Sequence, residues 1–228
     1  MASLIQHAKR YGLAATFGYA AWRVRNRLEG YKPYTCMLLA ANRQDAPPQD
    51  AIALRQVALE QLEPYVKDAR YDLTERFLAE ARGRGDRCVG AFERSMLVGY
   101  GFVSLAPTKI DNDFFFVVPA GCAYQYKAFV LPRWRGRRIH ERLTAARRAL
   151  APEISRFVTL VMSQNRPSLS GVLKAGYQPL FEFAIAGRAG SRRLVTDDAR
   201  GKVNDASDRL EFHSGSGTFQ VMRAAPSL

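Results

Sequence analysis

The stretch Tyr126–Leu143 reads Tyr-Lys-Ala-Phe-Val-Leu-Pro-Arg-Trp-Arg-Gly-Arg-Arg-Ile-His-Glu-Arg-Leu. A strand-like pattern stops at Pro132, a basic loop with a single glycine, Gly136, turns the chain, and an arginine-rich helical pattern begins. A strand that feeds a helix this directly sets the first helical N–H groups beside the strand end. Those groups lack intrahelical partners and carry partial positive charge, which makes a ready anion site. Arginines around such a turn suit a pyrophosphate or a phosphorylated ribose, because guanidinium grips these groups in bidentate fashion. The competing reading of Arg135–Arg138 is a solvated basic helix start or a nucleic-acid patch.

Charge is where composition bears on that choice. The net charge of +13 is carried mostly by arginine and falls in two places. Pro132–Leu150 holds seven arginines against one acidic residue, and Met1–Pro33 holds six Lys/Arg against one Glu. A basic surface attracts nucleic acid, anionic lipid or acidic small molecules such as coenzyme A, and net charge does not choose among them. The strands show no regular interleaving of basic and aromatic residues of the kind a base-stacking platform needs, so no nucleic-acid partner is expected. A length of 228 residues suits one domain with added elements. No apolar run approaches the ~20 residues that cross a bilayer, and the N-terminus lacks the layout of a cleaved signal. Cys36, Cys88 and Cys122 are scattered, with no metal-ligand spacing and no disulfide framework, so no metal and a reducing cytoplasm are expected.

The pattern predicts a basic amphipathic helix within residues 1–33, over 3–28, with Leu4, Ala8, Tyr11, Ala15, Tyr19 and Trp22 on one face. It is free to pack on the domain, to mediate a dimer, or to touch an anionic membrane peripherally, which would put the protein at the inner membrane face. Residues 34–228 form the main domain. A strand is predicted at Tyr34–Ala41, a loop at Asn42–Asp50, and two helices marked by Leu54, Val57, Ala58, Leu62, Tyr65 and by Leu73, Phe77, Leu78, Ala81. Strands follow at Arg87–Glu93 and from Met96 to about Ala106, joined by a tight turn at Arg94–Ser95, then at Asp113–Val118 and Ala123–Leu131. A helix over Gly136 to about Leu150, a strand at Arg156–Ser163, a helix at Pro167–Ala175 and a strand around Leu180–Ala186 come next. Gly187–Gly217 reads as a polar excursion that would set specificity, and Phe219–Arg223 as a last strand. The layout is α+β around one mixed, mostly antiparallel sheet flanked by helices.

Val130-Leu-Pro132, Arg135-Gly136 and Ile139, with Leu143 on the inward helix face, resemble the signature of the GCN5-related N-acetyltransferase (GNAT) family. Asn165-Arg-Pro-Ser168 with Leu173-Lys-Ala-Gly176-Tyr177 resembles that family's second motif, at the interval one helix and one strand require. The resemblance covers residues 35–186 and the final strand. Two positions depart from it. Arg138 and His140 stand where the family has small residues that let backbone approach a pyrophosphate, and Val172 stands where many members carry a tyrosine general acid. The stretch Tyr126–Leu143 is also similar to GNAT proteins of bacterial cell-surface polysaccharide assembly.

The resemblance implies acetyl transfer from acetyl-CoA to a primary amine of a small or surface-linked acceptor, an amino sugar before others. It places coenzyme A between the strand ending at Leu131 and the strand ending near Ser163. Backbone at Phe129, Val130 and Leu131 would hold the pantetheine arm and polarise the carbonyl. Arg135, Gly136, Arg137, Arg138, Ile139 and His140 would hold the pyrophosphate, with Asn165 and Ser168 as further contacts. The base that frees the amine is sought among Glu182, Tyr126, Ser163 and Tyr124. Asn165 and Ser168 also read as helix-start residues, His140 as a packing histidine and Tyr177 as core. The alternatives are a longer acyl chain delivered by acyl carrier protein, or a non-catalytic module that keeps the fold. Oligomeric state is not legible.

Overall fold

The computed structural model describes residues 13–40, 51–111, 114–188, 192–197, 203–206, 209–214 and 217–223. The predicted loop at Asn42–Asp50 and the first part of the N-terminal helix lie outside them. Helix α1 spans Leu13–Glu29. Its Trp22 indole donates to Tyr31 O at 3.2 Å, tying it to the start of the next strand. Phe17, at 79% exposure, and Val24 stand in solvent. Among the described residues no helix is long and apolar enough to cross a membrane.

One nine-stranded sheet organises the chain. Its strands are β1 (Lys32–Ala40), β2 (Ile52–Val57), β3 (Arg87–Glu93), β4 (Met96–Ser104), β7 (Cys122–Val130), β8 (Arg156–Met162), β9 (Gln178–Ala186), β10 (Arg193–Asp197) and β11 (Val203–Ala206). Their order is β11-β10-β9-β1-β8-β7-β4-β3-β2. Neighbours run antiparallel except β7 and β8, which are parallel. The fold is thus α+β with a mixed, mostly antiparallel sheet, as expected from the sequence. Helices α4 (Ile139–Ala149) and α5 (Arg166–Lys174) cover one face. Ile139 and Leu143 of α4 pack with Val89, Val98 and Val130, while Val172 of α5 packs with Met37, Phe157 and Val161.

The expectation of a single sheet does not hold. A second sheet of order β12-β13-β6-β5 is made by β5 (Thr108–Lys109), β6 (Phe114–Val117), β12 (Arg209–Ser214) and β13 (Gly217–Arg223). The aromatic run at Phe114 and the final strand pair with each other rather than with the large sheet. Phe114, Phe116, Phe219 and Val221 then pack on Tyr34, Tyr124, Val158 and Phe183 of the large sheet. Both inner faces need cover, and a small aromatic sheet supplies it where no helix lies. The polar segment 187–217 contributes β10, β11 and β12; residues 189–191, 198–202, 207–208 and 215–216 of it lie outside the described residues.

The predicted helix from Leu54 to Tyr65 is also corrected. Ile52–Val57 is a strand paired along its length with β3, from Ile52–Glu93 to Val57–Cys88. A 3₁₀ turn, Leu59–Leu62, and a single helical turn α2, Glu63–Val66, follow it. Leu54, Val57 and Ala58 have helical spacing, yet Ala58 is exposed while Ile52 and Val57 are buried. Pairing with β3 satisfies the backbone of this segment and overrides the local pattern. The second predicted helix is observed as α3 (Glu75–Gly83), capped by the Thr74 side chain, which accepts from Phe77 N at 3.1 Å.

Strand β4 approaches β7 closely at Gly99, where an added Cβ would lie 2.8 Å from Phe129 O. That neighbour is backbone inside a sheet and has nowhere to retreat. Gly99→Ala is therefore expected to lower stability by ~1–3 kcal/mol, read as a lower denaturant midpoint; an unchanged midpoint would contradict this packing.

Candidate active site

Strand β7 pairs with β4 from Gly99–Val130 to Ser104–Tyr124. With β8 it pairs only at Cys122–Arg156, Ala123–Phe157 and Tyr124–Val158. Beyond that point β8 stays with β1, through to Tyr34–Met162, and the two parallel strands part. The register of β7 against β4 shifts between Tyr100 and Phe102, so that Lys127 and Ala128 face Gly101 alone. Lys127 takes φ 48°, a left-handed bulge conformation. The parting opens a cavity of about 230 Å³. Tyr124 to Ala128 form its β7 wall and Thr159 to Met162 its β8 wall; His140 and Arg147 of α4 and Ser168 and Val172 of α5 close it, with Asn165 and Tyr177 flanking α5.

The loop after β7 folds as the sequence dictates. Pro132–Trp134 is one 3₁₀ turn, and Arg135 Nε donates back to Val130 O at 3.1 Å. The Arg137 guanidinium lies 4.5 Å from the centre of the Trp134 ring. Gly136 takes φ 86° and Arg138 φ 56°. Arg138 is the N-cap of α4, in a left-handed conformation that glycine adopts without cost and other residues adopt at about 1 kcal/mol or more. Arg133, Arg135, Arg137 and Arg138 are exposed around the first turn of α4. Asn165 caps α5, its Oδ1 accepting from Ser168 N at 3.3 Å.

Of the residues proposed from sequence, His140, Asn165, Ser168, Tyr124 and Tyr126 line the cavity. Phe129, Val130 and Leu131 do not: Phe129 stacks on Tyr100 at 5.4 Å, and Val130 and Leu131 are buried in the core. The part of β7 that lines the cavity is Tyr124–Ala128, which includes the bulge at Lys127. Ile139 is buried in the core, and the arginines precede the cavity-lining His140 in the chain. The Tyr126 hydroxyl is engaged elsewhere. It donates to the buried Asp86 carboxylate and accepts from Arg84 Nη2 at 2.8 Å. Burial, with Asp86 beside it, pushes its pKa well up, so it is no base near neutrality.

Ser163 and Glu182 stand beside the cavity rather than in its wall. Thr35 Oγ1 donates to Glu182 Oε1 at 2.8 Å and lies 3.1 Å from Ser163 Oγ. Thr35 pairs across β1 and β8 with Val161, which does line the cavity.

The inner wall holds polar groups that the sequence reading missed. Tyr177 OH donates to Gln125 Oε1 at 2.9 Å, and Gln125 Nε2 to Thr144 O at 3.3 Å. Arg147 Nη2 donates to Thr144 Oγ1 at 3.2 Å. Gln125, Thr144, Arg147 and Tyr177 are all buried. One signal was available: Ile139, Leu143 and Arg147 fall at four-residue steps, which puts Arg147 on the buried face of its helix.

His140 packs against Gly171 of α5 and leaves Nδ1 buried without a hydrogen-bond partner among the described residues. Burial, reinforced by the Arg147 charge, lowers its pKa from 6.5 to about 4. The unfolded chain therefore takes up a proton that the folded chain refuses. The stability this contributes is complete above about pH 6.5 and is lost as pH falls toward 4. The melting temperature should fall on acidification across that window, and His140→Ala should lessen the fall; equal slopes in both proteins would refute a neutral, desolvated His140.

No family model matches the chain, and no curated protein matches it. Solved structures do resemble it. One is a Drosophila protein, 14% identical with a TM-score of 0.50, over 76% of this chain and 59% of that one. Another is a tandem GNAT protein from the clavulanic acid biosynthesis pathway, 18% identical with a TM-score of 0.49, over 86% of this chain and 55% of that one. A third is a GCN5-related N-acetyltransferase from Sphaerobacter thermophilus, 15% identical with a TM-score of 0.49, over 74% and 56%. The matches thus take in only 55–59% of the length of these proteins. At such identity the first likeness is one of chain path alone, and the lower-scoring two add nothing to it.

Proposed function

We propose that the protein is an N-acyltransferase that moves an acyl group from the thioester of coenzyme A to a primary amine, with acetyl-CoA the simplest donor. The observation that carries this reading is the parting of β7 and β8 between the starts of α4 and α5. A parted strand offers N–H and C=O groups with no β8 partner to an extended amide-bearing arm such as pantetheine. The first turn of α4, with Arg135, Gly136, Arg137 and Arg138 before it, suits the pyrophosphate. The motif resemblance of Val130-Leu-Pro132 and Asn165-Arg-Pro-Ser168 supports the same assignment.

In this reading the neutral amine attacks the thioester carbonyl carbon and a C–N bond forms. Backbone N–H groups of the parted stretch of β7 stabilise the oxyanion. Collapse breaks the C–S bond, the amine proton passes to a base, and the thiolate takes up a proton. Val172 offers no hydroxyl for that last step. Burial raises the pKa of the cavity-lining Tyr124 and makes its phenol a weaker acid than the departing thiol, so water is the proposed proton source for the thiolate. Glu182, held by Thr35, is the proposed base, reached through water. Tyr34, Tyr124 and Tyr126 give the cavity aromatic surface, against which the C–H face of an amino sugar would bury apolar area.

Calorimetric titration with acetyl-CoA is expected to show micromolar binding that weakens about tenfold or more in an Arg135→Ala, Arg138→Ala double variant, a loss of about 1.4 kcal/mol. No binding by the unmodified protein would sink this reading. Glu182→Gln should lower kcat by ~10²–10⁴-fold while acetyl-CoA affinity holds; an unaltered kcat would remove Glu182 from the mechanism.

A further inference from the structure

Transfer of an acetyl group leaves Arg147 without a task. Its side chain reaches the inner wall of the cavity and is 2% exposed. No carboxylate pairs with it among the described residues. Its partners are the neutral oxygens Leu143 O at 3.2 Å, Thr144 Oγ1 at 3.2 Å, Phe102 O at 3.4 Å and Tyr126 O at 3.5 Å. The last two lie beyond the usual N–H···O range. The last turn of α4 offers some compensation through its dipole, yet arginine stays charged when buried, and a buried unpaired charge is costly. Gly101 is part of the arrangement: a Cβ there would come within 3.0 Å of the guanidinium. Gln125, Tyr177 and Thr159 line the cavity with Arg147, beside the apolar Val161 and Val172. The methyl of an acetyl group gains nothing from a buried guanidinium.

A carboxylate does. It would give the guanidinium a bidentate anionic partner and would accept from the polar groups beside it. An apolar cavity of about 150 Å³ already takes a benzene, so a volume of about 230 Å³ is compatible with a short acyl chain reaching the wall. We propose that the acyl group this protein transfers ends in a carboxylate, so that its donor is the monothioester of a short dicarboxylic acid, read by Arg147. This rests on the acyl-transfer reading and specifies the donor. The bonds made and broken at the thioester are those already described; the distal carboxylate binds and does not react.

The test compares coenzyme A, butyryl-CoA and succinyl-CoA by calorimetry on the unmodified protein. The two acyl groups have equal carbon number and differ in the terminal carboxylate. Succinyl-CoA is expected to bind about tenfold or more tighter than butyryl-CoA, as close charge pairs in desolvated sites do. Arg147→Met should bind the two alike, and Arg147→Lys should keep part of the preference, since it retains charge but loses the fork. Equal binding of the two thioesters by the unmodified protein, or a preference that survives in Arg147→Met, overturns the assignment. Should Arg147→Met fail to fold, the comparison on the unmodified protein still decides. Absence of any coenzyme A binding overturns the acyl-transfer reading itself, whereas coenzyme A binding without a carboxylate preference overturns this inference alone.

Discussion

Strand β8 lies between two claimants. It is hydrogen-bonded to β1 from Arg156 to Met162 but to β7 over only three pairs. The pairing with β1 is antiparallel and unbroken, while the pairing with β7 is parallel and ends at Tyr124, three residues before the bulge at Lys127. Where the two strands separate, the side of β7 that faced β8 has no strand to bond, and backbone polar groups in a folded interior require partners. The cavity, its two helix starts and its buried polar wall are arranged around that one separation. A sheet without it would be a closed core with no place for a ligand.

Charge is distributed about the cavity in an ordered way. The exposed arginines of the loop from Arg133 to Arg138 carry cations where solvent hydrates them at little cost. His140, at the first turn of α4, is kept neutral by burial and by Arg147. Arg147 then holds a charge at the inner wall, among carbonyl oxygens. The loop arginines are hydrated and the one at the cavity wall is desolvated. A charge in low dielectric interacts far more strongly with its neighbours than one in water does.

The second sheet and the aromatic packing beneath it fix the other side of the site. Phe116 and Phe219 hold Tyr124 in place from below, with Phe116 and Tyr124 ring centres 5.1 Å apart, and Tyr124 stacks on Tyr126 at 5.3 Å. Tyr126 is in turn anchored by Asp86 and Arg84 at the end of α3. A chain of rings thus connects the strands after β4, the last strand of the protein and α3 to the cavity wall, which limits how far the wall relaxes on substitution.

The amino-acid order alone determined the strand–loop–helix unit at Tyr126–Leu143, the second helix start at Asn165 and most strands, because each is encoded by local periodicity, a proline or a cap. It also held the inward phase of Arg147, which its six neighbouring arginines between Pro132 and Leu150 disguised. It could not determine that Ile52–Val57 is a strand, since that depends on β3 arriving thirty residues later to pair with it. Nor could it show that Phe114–Val117 and Gly217–Arg223 leave the large sheet to form a second one, or that the part of β7 along the cavity is Tyr124–Ala128, around a bulge at Lys127. Those outcomes are set by hydrogen-bond partners and buried faces distant in sequence, and only the tertiary structure brings these together.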